Sequence, residues 1–289
     1  MILLGFAGPL AAASTIVPRV VDPDIAELSG CARSLTVPQR LWVHNDSGNP
    51  SRLFAIDLQG QVQQRVEIDG AEARDWEDIA SFRWRGAPYL AIADTGDNFS
   101  LRAQVEVLLL PEPLPGAIRA SPPRTIRFRY PDGAQDVEAL AIDAAAGDIL
   151  LLQKQRPPVQ LYRLALNGPD QQLAQPIATL PDWWPEPPTP VETLGARHYR
   201  GAVTAMDLSD DGLHLAMLTS THWMVFTREP GESWQEALKR APRIARIPRT
   251  AAPPQALYEA LCWADDGGLW ISGERLPSPL IHIAPDAVR

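Results

Sequence analysis

Short apolar runs separated by turn residues recur along the chain in similar groups. Five segments open these groups, at 27–33, 75–81, 136–142, 200–206 and 257–263. A second and a third apolar run follow each segment, and in the first four groups a fourth run follows, at 62–68, 125–130, 177–180 and 244–247. Runs of this length between turns such as Asp210-Asp211-Gly212 predict β-strands joined by hairpins.

The repeated groups predict an all-β fold, a β-propeller of about five four-stranded blades, with six possible. Aligning the opening segments makes five residues equivalent: Ser29, Glu77, Glu138, Ala202 and Glu259. The last group lacks a fourth strand, and residues 15–21 can supply it. We therefore expect an N-terminal strand to close the ring, because closure removes an exposed sheet edge. A sixth blade would have to come from 181–196, which is too rich in proline.

The first residues, 1–13, read MILLGFAGPLAAA and resemble a signal peptide, although they lack its positive start. The alternative is a packed or disordered N-terminus. The expected organisation is thus a signal-peptide-like segment at 1–13 and one propeller domain at 14–289, secreted or periplasmic. This segment is too short to span a bilayer, and no longer apolar stretch follows, so we expect no transmembrane segment.

The charge and the sequence motifs exclude some classes of partner and of enzyme. The formal net charge is −9, which argues against nucleic acid, because phosphate binding needs a positive surface. The common signatures of serine hydrolases, zinc proteases and nucleotide-binding enzymes are absent from the sequence. We expect a monomer that takes a small-molecule or protein ligand at the mouth of the propeller.

The two cysteines, Cys31 and Cys262, both fall in predicted strands. Free cysteine is among the most buried residue types, so two buried thiols are one interpretation. A disulfide is the other, provided that the first and last blades are neighbours.

Oxygen-rich loops follow the second strand of the first two blades, at 45–49 (Asn-Asp-Ser-Gly-Asn) and 94–98 (Asp-Thr-Gly-Asp-Asn). Two Asp-x-Glu segments, at 75–77 and 136–138, open the next innermost strands. In a propeller these positions lie at one face near the axis. Carboxylates that converge without a counter-charge repel one another, and a hard cation relieves the repulsion by taking oxygen ligands.

The sequence therefore predicts a Ca²⁺ site, with Mg²⁺ as the alternative, at one mouth. The candidate metal ligands are Asp46, Asp75, Glu77, Asp94, Asp97, Asn98, Asp136, Glu138 and Glu259. The competing interpretation is structural, because Asp, Asn, Ser and Gly are also ordinary turn residues.

Three residues near the same face are candidates for catalysis. Lys154, one of only two lysines, ends the second strand of blade three and could hold an anion. Arg102 follows the second acidic loop, and His44 precedes the first. A solvated strand end for Lys154 and a buried position for His44 are the alternatives.

These motifs resemble a family of exported bacterial propellers without a settled activity. The resemblance lies in 42–49, 75–80 and 94–98 with Arg102, and it continues through Lys154, 203–212 and 259–262. The family is similar, more distantly, to phytase-like esterases and calcium-dependent phytases, usually six-bladed, which implies calcium and phosphoester hydrolysis. This chain departs from the pattern in blade four, where Arg200-Gly-Ala202 stands in place of Asp-x-Glu.

Two functions remain open. One is a binding propeller with a Ca²⁺-type acidic site, and the other is a metal-assisted hydrolase of phosphoesters or related esters. The hydrolase needs the carboxylates and Lys154 in one pocket, whereas the binding protein needs only the loop geometry.

Overall fold

Five antiparallel sheets stand as blades around one axis in this computed structural model. The structure describes residues 17–154, 158–180, 189–193, 196–200, 202–248 and 257–288. The chain begins with β1 (Arg19–Val20). Blade one contains β2 (Leu28–Arg33), β3 (Arg40–Asn45), β4 (Arg52–Asp57) and β5 (Val62–Ile68). Blade two contains β6 (Trp76–Trp84), β7 (Ala87–Asp94), β8 (Val105–Pro111) and β10 (Arg124–Arg129), and between β8 and β10 the chain forms the short β9 (Arg119–Ala120), which joins the sheet of blade one.

The remaining blades follow in chain order. Blade three contains β11 (Val137–Asp143), β12 (Asp148–Gln153), β13 (Val159–Ala165) and β15 (Gln175–Leu180), and between β13 and β15 the chain forms the short β14 (Gln171–Leu173), which joins the sheet of blade two. A separate hairpin, β16 (Thr189–Thr193) and β17 (Ala196–Arg200), leads to blade four. Blade four contains β18 (Val203–Leu208), β19 (His214–Thr219), β20 (His222–Thr227), helix α1 (Trp234–Ala237) and β21 (Arg243–Arg246). Blade five contains β22 (Tyr258–Trp263), β23 (Leu269–Gly273), β24 (Ser278–Pro279) and β25 (Ile281–Ile283), and helix α2 (Pro285–Val288) follows.

The ring closes where the two ends of the chain meet, as the sequence predicts. Strand β1 pairs antiparallel with β24, and the amide of Leu280 donates to the carbonyl oxygen of Pro18 at 2.8 Å. The innermost strands β2 and β22 are also neighbours, and a disulfide joins Cys31 to Cys262 across them. The signal-peptide-like segment 1–13 lies outside the described residues.

The outer edges of blades one and two are covered by short parallel strands. Strand β9 pairs with β5, and β14 pairs with β10. Each of these short strands lies in the stretch of chain that forms the next blade. The predicted fourth strands are confirmed as β5, β10, β15 and β21. No helix in the described part of the chain has the length and apolar character needed to cross a membrane.

Every innermost strand carries a one-residue bulge at the same position, close to its beginning. The residues that the pairing skips are Ser29, Glu77, Glu138, Thr204 and Glu259. Our alignment of blade four was therefore wrong by two residues, since Thr204, and not Ala202, is the equivalent position. The alignment matched Ala205 to the small residues three positions after the bulge in the other blades, whereas blade four has Asp207 at that place.

The carboxylate of Asp78 joins three blades at the axis. It accepts hydrogen bonds from the amides of its neighbour Ile79 (2.9 Å), of Leu140 in blade three (2.8 Å) and of Met206 in blade four (3.0 Å). Asp78 is fully buried, and burial raises its pKa well above the usual range while the three amides oppose the shift. These bonds satisfy amides on innermost strands, which have no further strand to pair with.

Replacing Asp78 with alanine should destabilise the whole propeller. The variant leaves the amides of Leu140 and Met206 buried without an acceptor, so we expect the free energy of unfolding to fall by about 2–5 kcal/mol. Urea unfolding followed by circular dichroism measures the change. The exposed Asp132→Ala should change stability by less than about 0.5 kcal/mol, and an equally small effect of Asp78→Ala would contradict this role.

Candidate metal centre

Carboxylates from three blades converge at the face where the innermost strands begin. Two groups of three place one ligand oxygen per residue within 4.8 Å of the others. The first group is Asp46, Asp75 and Glu77, and the second is Glu77, Asp136 and Glu138. Asp75 and Asp136 precede β6 and β11, whereas Glu77 and Glu138 are the bulge residues of these strands. The bulge thus brings a second carboxylate to the mouth from each of blades two and three.

Glu77 is shared by both groups and lies in an unusual environment. It is 4% exposed, yet no donor among the described residues makes a hydrogen bond to its carboxylate. Its electrostatic neighbours are chiefly the carboxylates of Glu138 and Asp46. Burial, followed by these acids, raises the pKa of Glu77 well above its ordinary value. A buried carboxylate without donors is costly, and a cation at this point would compensate it.

The other two members of the first group are partly exposed and share a hydrogen bond between their side chains. Burial and the carboxylates of Asp46 and Asp136 raise the pKa of Asp75 to about 7. Asp46 is positioned by the blade-one loop, where its amide donates to the carbonyl oxygen of Glu27 at 2.9 Å. The side chain of Asn45 holds the same loop by donating to the carbonyl oxygen of Asp24 at 2.7 Å.

Lys154 supplies positive charge inside the cluster. Its ammonium pairs with Glu138, and its side chain is only 13% exposed. Burial alone would lower the pKa of Lys154, but Glu138, Glu259 and Glu77 outweigh it and raise this pKa well above the ordinary value. The solvated strand end that we considered for Lys154 is therefore not what the structure shows.

Blades five, four and one complete the ring with different side chains. Glu259 shares a hydrogen bond with Glu274, and burial followed by the Glu259 carboxylate raises the pKa of Glu274 to about 8. The hydroxyl of Thr204 donates to the carbonyl oxygen of Tyr258 at 3.0 Å, and that of Ser29 to the carbonyl oxygen of Glu77 at 3.0 Å. These two bulge residues tie neighbouring blades together and add no charge.

The acids of the 94–98 loop stabilise the loop itself. Asp94 pairs with the guanidinium of Arg102 at 2.6 Å. The Asp97 carboxylate accepts from the amides of Leu101 and Arg102, at 2.8 and 2.7 Å, which fixes the turn. Neither residue belongs to the two carboxylate groups. Asn98 lies on the same loop, and its Oδ1 is buried without a partner among the described residues.

Gly96 allows this loop to approach the carboxylates closely, a role that our sequence reasoning missed. A Cβ atom at this position would overlap Oε1 of Glu77 and the carboxylate of Asp75. The need is for space, because the φ of Gly96 is not in the left-handed region. The signal in the sequence is a glycine between two aspartates, Asp94 and Asp97.

His44 lies in the core beneath the mouth. It is fully buried, its ring meets Trp76 edge to face with centroids 5.6 Å apart, and it fills the space beside Gly30. Burial lowers the pKa of His44 to about 4, against two backbone hydrogen bonds. The imidazole is therefore neutral at neutral pH and packs between blades one and two.

A separate cavity of about 990 Å³ lies between blades four and five, at the face opposite the acidic mouth. The turns at 209–211 and 264–267 line it, and both side-chain partners of Arg33, Asp210 and Asp265, are at its rim. It contains none of the predicted site residues.

Comparison with known proteins supports the fold alone. No family model and no curated protein matches the chain. The major allergen Mala s 1 of Malassezia sympodialis is 12% identical with a TM-score of 0.56, over 94% of this chain and 96% of that one. Kuenenia stuttgartiensis hydrazine synthase is 11% identical with a TM-score of 0.46, over 90% and 84%. The Cps50 (Swd1) β-propeller domain of Myceliophteria thermophila is 12% identical with a TM-score of 0.41, over 89% and 72%.

The chain is thus a five-bladed β-propeller with an acidic mouth. The match to Mala s 1 extends over nearly the full length of both chains, so the two share their overall architecture. The implied kinship with phytase-like propellers stays an expectation.

A methyl group at position 96 should disturb the carboxylate cluster. We expect Gly96→Ala to lower the free energy of unfolding by about 1–3 kcal/mol, because the added carbon overlaps Glu77 and Asp75. Glu77→Ala removes one of the overlapping groups, so the double variant should be more stable than the sum of the single effects by about 1 kcal/mol. Denaturant unfolding of the three variants and the wild type measures this coupling, and strict additivity would contradict the close approach.

Proposed function

We propose that this chain is an exported propeller that recognises its ligand through a divalent cation bound at the mouth. Ca²⁺ is the first candidate and Mg²⁺ the alternative. The cation is held by Asp46, Asp75 and Glu77. The observation that carries this proposal is the carboxylate of Glu77, which is buried, surrounded by acids and without a hydrogen-bond donor among the described residues.

The donor set suits a hard cation. Ca²⁺ takes six to eight oxygen ligands in flexible geometry, whereas Mg²⁺ keeps several waters and uses one or two carboxylates. Three carboxylates satisfy part of either shell. Asp46 and Asp75 are partly exposed, so the remaining positions face solvent and are open to water or to a ligand.

The expected ligand is a small molecule or a protein segment that carries an anionic or carbonyl oxygen. An acidic mouth repels anions unless a cation is present, so the metal would control recognition. Export is supported by the disulfide between Cys31 and Cys262, because such bonds persist mainly in oxidising compartments.

Calcium titration of the chelator-treated protein by calorimetry tests the proposal. We expect saturable binding by the wild type and a loss of affinity of at least about 100-fold in Glu77→Gln, because this variant keeps the shape of the side chain but removes the shared ligand charge. Such a loss corresponds to about 2.7 kcal/mol.

The matched control is Glu72→Gln, whose side chain is 78% exposed in the wild type. It removes the same charge outside the two carboxylate groups, so its affinity should stay close to that of the wild type. Absence of binding by the wild type at millimolar Ca²⁺ and Mg²⁺, or an equal loss in both variants, would contradict a site at Glu77.

A second candidate, metal-assisted hydrolysis of phosphoesters or related esters, is favoured by one observation. The ammonium of Lys154 lies among the carboxylates, where it could hold an anionic substrate beside a cation. Arg102 would hold the same anion less directly, since its guanidinium already donates to Asp94 and to the carbonyl oxygen of Gly96. A bound cation would polarise a phosphoryl oxygen or acidify a water.

Release of phosphate from a phosphate monoester in the presence of Ca²⁺ distinguishes the hydrolase from the binding protein. The hydrolase predicts turnover that a chelator abolishes and that falls by at least about tenfold in both Glu77→Gln and Lys154→Met. Turnover that survives the chelator, or no turnover above background with either cation, would contradict the hydrolase and leave the binding protein.

A further inference from the structure

The two carboxylate groups at the mouth provide two adjacent positions for a cation. Both use Glu77, with Asp46 and Asp75 on one side and Asp136 and Glu138 on the other. A cation at one position therefore shares a ligand with a cation at the other. The structure distinguishes the positions by what already lies beside each of them.

The second position already has a cation of the protein itself. The ammonium of Lys154 contacts Glu138, and its next electrostatic partners are Glu259, Glu77 and Asp136. The backbone holds the lysine in place, because its amide donates to the carbonyl oxygen of Asp136 at 3.0 Å. An ammonium so placed neutralises the second group much as a metal ion would.

The first position has no ammonium of the described residues in direct contact with it, because Lys154 and Arg102 act on its carboxylates from a distance. Asp46 and Asp75 share a hydrogen bond with each other, and both are partly exposed. By contrast, Glu138 in the second group is 2% exposed. A hydrated divalent cation can thus reach the two partly exposed carboxylates of the first group, whereas Glu138 in the second group is buried and already paired with Lys154.

We propose that Lys154 occupies the second of two cation positions, so that the protein binds one divalent cation at Asp46, Asp75 and Glu77. Removal of the ammonium opens a latent site at Glu77, Asp136 and Glu138. This inference rests on the proposed function. It adds the number of cations that the mouth binds and explains that number by the position of Lys154. The lysine also keeps the shared Glu77 close to an opposite charge when the metal is absent.

The stoichiometry of Ca²⁺ binding to the full chain, measured by calorimetry, tests this inference. The wild type should bind one ion, and Lys154→Met, which keeps much of the side-chain volume but has no charge, should bind two. Lys154→Arg keeps the positive charge and should bind one. Circular dichroism establishes that each variant is folded.

The outcomes separate this inference from the proposed function. A folded Lys154→Met that still binds one ion, or a wild type that binds two, would overturn the role of Lys154 and leave the cation site intact. A wild type that binds none would overturn both. If Lys154→Met does not fold, Glu138→Gln decides: it should still bind one ion, since the first group is complete, and a loss of all binding would overturn the assignment.

Discussion

The bulge near the start of each innermost strand is the constraint on which the mouth of this propeller depends. In a regularly paired strand, each side chain points to one of the two faces of the sheet. A bulge sets two residues against one and turns the extra side chain out of the ladder. Repeated in five blades, it brings Ser29, Glu77, Glu138, Thr204 and Glu259 to the mouth. The choice of residue at these positions then decides the chemistry.

Two neighbouring acids in blade two, both near the axis, have very different environments. Asp78 lies deeper and receives three backbone amides, so its burial is compensated and it holds blades three and four to blade two. Glu77, one residue earlier, receives none from the described residues and faces other acids. The first is a structural carboxylate, and the second is the one that we propose as a metal ligand. Lys154 offsets part of the remaining charge from the far side of the cluster.

Much of the fold could be predicted from the sequence, because blades repeat and repeats are visible in one dimension. The strand runs, the closure by the N-terminal strand and the convergence of Glu77 with Glu138 follow from that repetition. The equivalent position in blade four was misplaced, because Ala205 resembles the small residues of the other blades while the structure puts Asp207 in their place. The sequence also could not show which acid pairs with a basic residue. Asp94 and Asp75 stand in similar acidic motifs, yet Arg102 forms an ion pair with Asp94. Two further features could not be predicted: the close approach of Gly96 to the carboxylates, and the amides that donate to Asp78. Both depend on contacts that no local sequence pattern encodes.

A crystal structure of the calcium-loaded protein, with anomalous scattering to locate the metal, would show whether the mouth holds a cation. We expect one ion at the mouth, with carboxylate oxygens of Glu77, Asp75 and Asp46 at about 2.3–2.6 Å and the ammonium of Lys154 still beside Glu138. A mouth without an ion at saturating calcium, or an ion bound only at the opposite face near Asp210 and Asp265, would contradict it.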